Sequence, residues 1–365
     1  MNLLRSLYLA TTAVAQLSMS IVNNLPAGTP TLAYVTAQDL DSHLVFLQAD
    51  NTWYYPEPGK LSAVPSEVSQ SIAIPVAAGG GTTRITVPSE FSSGRVWFAT
   101  GHLMFSMVLD NNGVIALIQP SVTDISDLNS HVDWGFVELT YTEDSGFFVN
   151  LSYVDFVGLP LGISLESQDD GMQTVLGLPA NATSDLCDRL RQQGPPWGQL
   201  CVTDTDGAIH RVLSPNIYIG LDPSAFQDYY SSYVNEAWFT YSRQPLTVNS
   251  QTSAVDIFSC GSGPFTVDAA DNDIHLAVVP RLCAALQRAT LLLNGGDLQP
   301  GLDPSFYYTT DSSNLYSKFV HELELDGKGY AFPYDDVDPW GADQSGLLAS
   351  QNPRLLTITV GGPST

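Results

Sequence analysis

Between Gln16 and about Leu165 the sequence is a succession of short apolar or alternating runs, each cut off within a few residues by Gly, Pro, Asn or Asp. This punctuation constrains the fold more than anything else in the chain. A helix needs an unbroken stretch of roughly ten residues with a 3.6-residue apolar period, whereas a strand needs only about four to eight. Residues 17–21, 44–47, 96–98, 103–109, 114–118 and 135–142 read as strands, and so many short strands predict a sandwich or barrel.

Beyond residue 165 helical signals enter. Ser184 is placed to cap a helix through Leu186, Leu190 and Arg191 that stops at Gly194. Asp222-Pro223 opens a second from Ala225 to about Trp238, Pro280 opens another that ends near Leu293, and Asp303-Pro304 precedes one over residues 314–323. Strands at 199–203 and 254–260 lie between them, and residues 329–334 and 355–360 return to strand character. The expectation is a β-rich α+β fold: a β domain from 16–165 and 326–365, with a mixed α/β domain, 166–325, inserted in it.

The composition narrows the partners. Asp and Glu number 38 against 13 Lys and Arg, a net charge of −25, yet only 14% of residues are charged. A field of that sign repels phosphate backbones and anionic lipid, so nucleic acid and membrane surfaces are excluded as partners, while a neutral polymer meets no repulsion. Residues 1–15 read as a signal peptide, with Arg5, an apolar run from Leu7 to Val14, and a small-x-small site at Ala13-Val14-Ala15. Cys187, Cys201, Cys260 and Cys283 suit an oxidising compartment and allow three pairings. Nearest-neighbour pairing closes short loops, each worth on the order of 3 kcal/mol. No Cys-x-x-Cys or His-x-x-x-His spacing accompanies them, which disfavours zinc. Asn150-Leu151-Ser152 and Asn181-Ala182-Thr183 are N-glycosylation sequons.

Several chemistries lack their motifs. There is no Gly-x-Ser-x-Gly elbow and no Walker loop; Gly79-Gly80-Gly81 precedes a strand, and Asp204-x-Asp206-Gly207 reads as a turn rather than a calcium loop. The informative segment is 133–160. Along it Phe136, Glu138 and Thr140 share one strand face while Val137, Leu139 and Tyr141 share the other. Glu143-Asp144-Ser145-Gly146 reads as a turn into a second strand, 147–156. Pairing Thr142 with Phe147 sets Glu138 opposite Leu151, and Asp155, four residues on, then faces the same way. Strand spacing separates the two Cα atoms by roughly 14 Å, from which leaning carboxyls can reach the ~6.5–9.5 Å of inverting glycosidases. In this register Asn150 falls on the core face, which conflicts with its sequon.

These residues have a familiar cast. Val154-Asp155-Phe156-Val157-Gly158-Leu159-Pro160, downstream of Phe136-Val137-Glu138, resembles glycoside hydrolase family 64, the β-1,3-glucanases with a thaumatin-like domain. Ser93-Gly94-Arg95-Val96-Trp97, residues 316–322 and residues 330–336 agree with it. The resemblance implies a thaumatin-like β-barrel or sandwich joined to the inserted domain across a wide cleft. It implies a secreted, extracellular endo-1,3-β-glucanase that needs no metal or cofactor and acts as a monomer on β-1,3-glucan. Glu138 matches the general acid, Asp155 the general base, and Thr140 a sugar contact. Thr142 and Phe147 stand where an amide and a tryptophan are expected. Trp134, Tyr334, Asp335 and Asp336 complete the expected cleft. The competing expectation is a non-catalytic glucan-binding or antifungal thaumatin-like protein with the same cleft.

Overall fold

The computed structural model describes residues 16–363 except 59–61, 125, 248–270, 272, 340 and 342. The expected signal peptide, the strand over 254–260 and Cys260 therefore lie outside the described residues. Strands and helices are labelled in chain order.

Two open sheets make the body of the molecule. The first has five strands in the order β15 (Met172–Val175), β14 (Leu161–Ser167), β19 (Pro353–Val360), β1 (Leu17–Asn23) and β7 (Thr82–Val87). The second runs β18 (Leu348–Ser350), β12 (Gly146–Leu151), β11 (Trp134–Thr142), β8 (Phe91–Ala99), β2 (Leu32–Gln38), β3 (Leu44–Leu47) and β4 (Trp53–Tyr54), with β6 (Ile74–Pro75) also on β2. Met19, Ile21, Leu356 and Ile358 from the first sheet meet Val96, Val137, Leu139 and Val149 from the second in one buried cluster. A sandwich forms, because alternating residues on each sheet supply the shared core while neither sheet closes into a barrel.

Two small sheets cover part of the outer face of the second sheet. One is β10 (Ile115–Ile118), β9 (Ser106–Leu109) and β5 (Ser66–Glu67); the other is β13 (Phe156–Val157), β17 (Ile209–Leu213) and β16 (Cys201–Thr203). Beneath them Tyr34, Trp97, Trp134, Phe136 and Phe156 pack into a second, aromatic cluster.

The helices are α1 (Ala182–Gln192), α2 (Pro215–Ile219), α3 (Ser231–Tyr241), α4 (Asp273–Gln287) and α5 (Leu315–Leu323). Helices α1, α3 and α4 depart from the sequence expectation, whereas α5 falls where it was expected. Asn181 rather than Ser184 precedes α1. Asp222 accepts from Ser224 N at 3.0 Å in a local turn and Phe226 takes a positive φ of 61°, so the expected helix starts only at Ser231. Pro280 lies inside α4, where it removes one N–H without ending the helix. Asn314 caps α5 by accepting from Ser317 N. Residues 329–334 form turns rather than a strand, with a single bridge between Tyr330 and Ser152. Cys187 bonds Cys201 across a Cα separation of 5.6 Å, as nearest-neighbour pairing anticipates. Among the described residues no helix is long and apolar enough to cross a membrane.

Candidate active site

Strand β11 carries the central feature. Trp134 and Phe136 at its start are buried in the aromatic cluster, Glu138 stands where that cover ends, and Thr140 follows on the same face, half-buried. One strand thus passes from core to cavity without changing face. The cavity has a volume of about 400 Å³ and its walls include Arg95, Gln119, Glu138, Thr140, Phe148 and Asn150.

Arg95 is the cross-strand neighbour of Glu138 on β8. Its Nη2 and Nε donate to the same carboxylate oxygen, Oε1, at 2.8 and 3.1 Å, so Oε2 receives neither contact. The guanidinium also lies over the Phe136 ring, 4.4 Å from its centroid, and donates through Nη1 to Gln119 Oε1. Just beyond Arg95 the chain of β8 carries an extra residue relative to both neighbouring strands, with Ser93 at a positive φ of 50°. Gly94 sits in this bulge because a Cβ there would approach Leu139 O to 2.8 Å.

Gln119 is held from outside. The loop from Gln119 to β11 wraps the buried Arg211 of β17, which donates to Ser130 O at 2.8 Å, Val132 O at 3.1 Å and Ser121 O at 3.3 Å. The adjacent His210 places Nδ1 2.6 Å from Asp133 Oδ1. Just past the end of β17, Ser214 N donates to the Asp155 carbonyl at 2.9 Å. Burial lifts the Asp155 carboxyl above its ordinary 3.8, with Arg95 opposing the rise and the Glu138 charge adding to it. Both carboxylates therefore lie in the field of one guanidinium.

The profile of the β-1,3-glucanase family, glycoside hydrolase family 64, matches residues 15–254 and 250–360. The chain belongs to that family. It is 31% identical over 306 residues to the glucan endo-1,3-beta-glucosidases of Cellulosimicrobium cellulans and of Arthrobacter sp. (strain YCWD3), a stretch covering 75% of this chain. The match covers 53% of each relative, so the chain spans about half their length. Among solved structures, a laminaripentaose-producing β-1,3-glucanase in complex with laminaritetraose shares the fold with a TM-score of 0.80 at 23% identity, over 95% of this chain and 98% of that one. A β-1,3-glucanase domain from Clostridium beijerinckii gives 0.71 at 18%, over 94% and 98%.

Within this family 64 chain the structure revises the sequence-derived site at several points. Thr142 pairs with Gly146, not Phe147, and Glu138 with Asn150, not Leu151. Gly146, at φ 82°, takes part in the pairing and leaves a turn of only Glu143, Asp144 and Ser145. This one-residue shift sends Phe147 into the main core, fully buried against Tyr141, and brings Phe148 and Asn150 to the carboxylate face. The second strand also ends at Leu151, so strand parity is not what places Asp155. Trp134 packs edge-on against Phe156 in the aromatic cluster, away from the cavity. Thr142 Oγ1 accepts from Ser145 N at 3.1 Å and serves the turn. Arg95, Gln119, Phe148 and Asn150 are not among the candidate site residues read from the sequence. The alternation of β8 through Arg95 and Trp97 was a usable signal for the first, and the correct hairpin register for the last two.

Residues 334–336 are not among the walls of that cavity. Tyr334 is partly buried against the main core, and Asp336 is exposed. Asp335 is wholly buried, 2.8 Å from Arg288 Nη2 and 2.9 Å from His321 Nε2, and accepts from Ala331 N at 3.0 Å. His321 Nδ1 lies 2.8 Å from Glu324 Oε2. Burial opposes the imidazolium, but Asp335 and Glu324 outweigh it and raise His321 to about 10. Burial lifts Glu324 to about 7 against the pull of His321. Asp335 thus belongs to a closed ionic cluster joining α4, α5 and the turn at 331–337.

A metal has one surface candidate among the described residues. Asp39, Asp41 and His43 bring ligand atoms within 4.8 Å of one another. Asp39 Oδ1 already accepts from the backbone N–H groups of Asp41 and His43, at 3.0 and 2.8 Å, and the turn itself accounts for the arrangement.

Proposed function

We propose that this chain is a secreted endo-1,3-β-glucanase of thaumatin-like architecture that hydrolyses β-1,3-glucan by inversion, with Glu138 as general acid and Asp155 as general base. The observation that carries the reading is Glu138 at the mouth of a polar cavity, gripped by Arg95 in a field shared with Asp155, in a family 64 chain. The named glucan endo-1,3-β-glucosidase relatives and the laminaritetraose complex of a similar fold support β-1,3-glucan as the substrate. A cleft between the β domain and the 166–325 segment completes the proposed arrangement.

In this scheme Glu138 transfers a proton to the glycosidic oxygen as the anomeric C–O bond breaks. Arg95 occupies Oε1, so Oε2 is the atom suited to carry that proton. Asp155 removes a proton from a water that attacks the anomeric carbon from the opposite face. One water is consumed, one linkage is cut, and the new reducing end is born as the α-anomer. The two carboxyls then exchange protons with solvent to restore the starting state. Incubation with laminarin, reading reducing ends and the anomer of fresh product by NMR, tests each part. Absence of turnover would favour the non-catalytic binding protein, and β-anomer appearing first would exclude inversion.

A further inference from the structure

The hairpin register places Asn150 directly across from Glu138, and Phe148 directly across from Thr140. Directly opposed residues of an antiparallel pair have Cβ atoms about 4.5–5.5 Å apart, so whatever lies against Glu138 lies against Asn150 too. Asn150 is half-buried and lines the cavity, yet its side-chain oxygen is buried and accepts no hydrogen bond. Buried polar atoms in folded chains are nearly always partnered, and one that is not carries a desolvation cost that nothing in the fold offsets. A flip of the side-chain amide exchanges acceptor for donor, which lets the group meet a hydroxyl through either its lone pair or its proton. Beside it stand an aromatic ring and the Thr140 hydroxyl, a wall suited to a neutral polyhydroxylated ligand.

We propose that Asn150 is a sugar-contact residue, whose amide hydrogen-bonds a hydroxyl of the pyranose unit held against Glu138 and so orients the linkage for protonation. The proposal rests on the glucanase reading of the site. It also gives the sequon a consequence: a glycan on Asn150 would fill the cavity, so active molecules carry Asn150 unmodified.

The test compares wild-type protein with Asn150→Ala and Asn150→Ser on laminarin, measuring kcat and KM together with the unfolding midpoint. Asn150→Ala is expected to lower kcat/KM about 5- to 50-fold while the midpoint stays unchanged or rises, because the variant removes a buried amide oxygen that accepts no hydrogen bond. Asn150→Ser, which keeps a hydroxyl, is expected to fall between the two. A merely structural residue would lower the midpoint and leave kcat/KM of the folded fraction intact, and that result overturns the proposal. Wild-type protein that cleaves laminarin alongside an equally active Asn150→Ala overturns this inference alone, whereas an inactive wild type overturns the glucanase reading and this inference with it.

Discussion

The Arg95–Glu138 and Arg288–Asp335 pairs have the same 2.8 Å separation and opposite surroundings. In the Arg95–Glu138 pair the side chains are 25% and 33% exposed and border a cavity; in the Arg288–Asp335 pair they are 3% and 0% exposed. Asp335 is also engaged by His321 and Ala331 N, and Arg288 lies 4.3 Å from the centroid of the Tyr307 ring, so that cluster is closed against any ligand. Glu138 keeps one oxygen outside the Arg95 grip. The two carboxylates differ in how completely the protein satisfies them, and neither the residue type nor the ion-pair distance reveals that.

The contrast is broken most directly by substitution. Glu138→Gln and Asp155→Asn are each expected to lower turnover on laminarin by about 10²–10⁴-fold while the unfolding midpoint moves little. Near-normal rates in either variant would remove that residue from its role. Asp335→Asn should do the reverse, costing about 3–5 kcal/mol in denaturant unfolding by leaving buried partners uncompensated, with kcat per folded molecule preserved. Loss of activity in a fully folded Asp335→Asn protein would show that the closed cluster takes part in catalysis after all.

Titration should separate the two regions from opposite sides. His321 is raised from 6.5 to about 10 and Glu324 from 4.5 to about 7, so both bind protons more tightly in the folded chain. Each contribution is complete below the group's unfolded value and is lost by the time pH passes its folded value, from 4.5 to about 7 for Glu324 and from 6.5 to about 10 for His321, so the unfolding midpoint should decline from about pH 4.5 to about pH 10. Asp155 must be ionised to act as a base, and its raised value means that kcat/KM should fall with acidification at a pH above 3.8. An acid limb at or below the ordinary aspartate value would contradict the burial of Asp155. The smallest effect belongs to Thr142→Val, expected to alter activity less than twofold and to cost about 0.5–1.5 kcal/mol through the lost turn hydrogen bond. A larger effect on KM would return Thr142 to the substrate site.

The parity of β11 was legible because Trp134, Phe136 and Glu138 alternate strictly with Gly135, Val137 and Leu139 along an uninterrupted strand. The hairpin register was not, since Gly146 reads equally well as the last residue of a turn or the first of a strand. That single ambiguity moved Phe147 and Asn150 to the wrong faces. The assignment of Asp155 rests on the resemblance of Val154-Asp155-Phe156, because the strand whose parity was to place it ends at Leu151. Tyr334, Asp335 and Asp336 adjoin in sequence but diverge in space, because Tyr334 adopts a positive φ of 66° and turns the chain so that Asp335 alone enters the ionic cluster. Long-range partners such as Arg288 and His321 leave no local trace for a sequence reading to find.

The place of β19, between β14 and β1, bears on how the protein is made. Met19 pairs with Leu356 and Leu165 with that same Leu356, so the five-stranded sheet has a gap at its centre until residues 353–360 exist. At roughly 5–20 residues per second a ribosome needs on the order of ten to forty seconds to go from β14 to β19, and during that interval β1 and β14 both have unpaired inner edges. A premature stop ahead of β19 leaves a polypeptide that lacks the strand joining β1 to β14 and cannot complete this sheet.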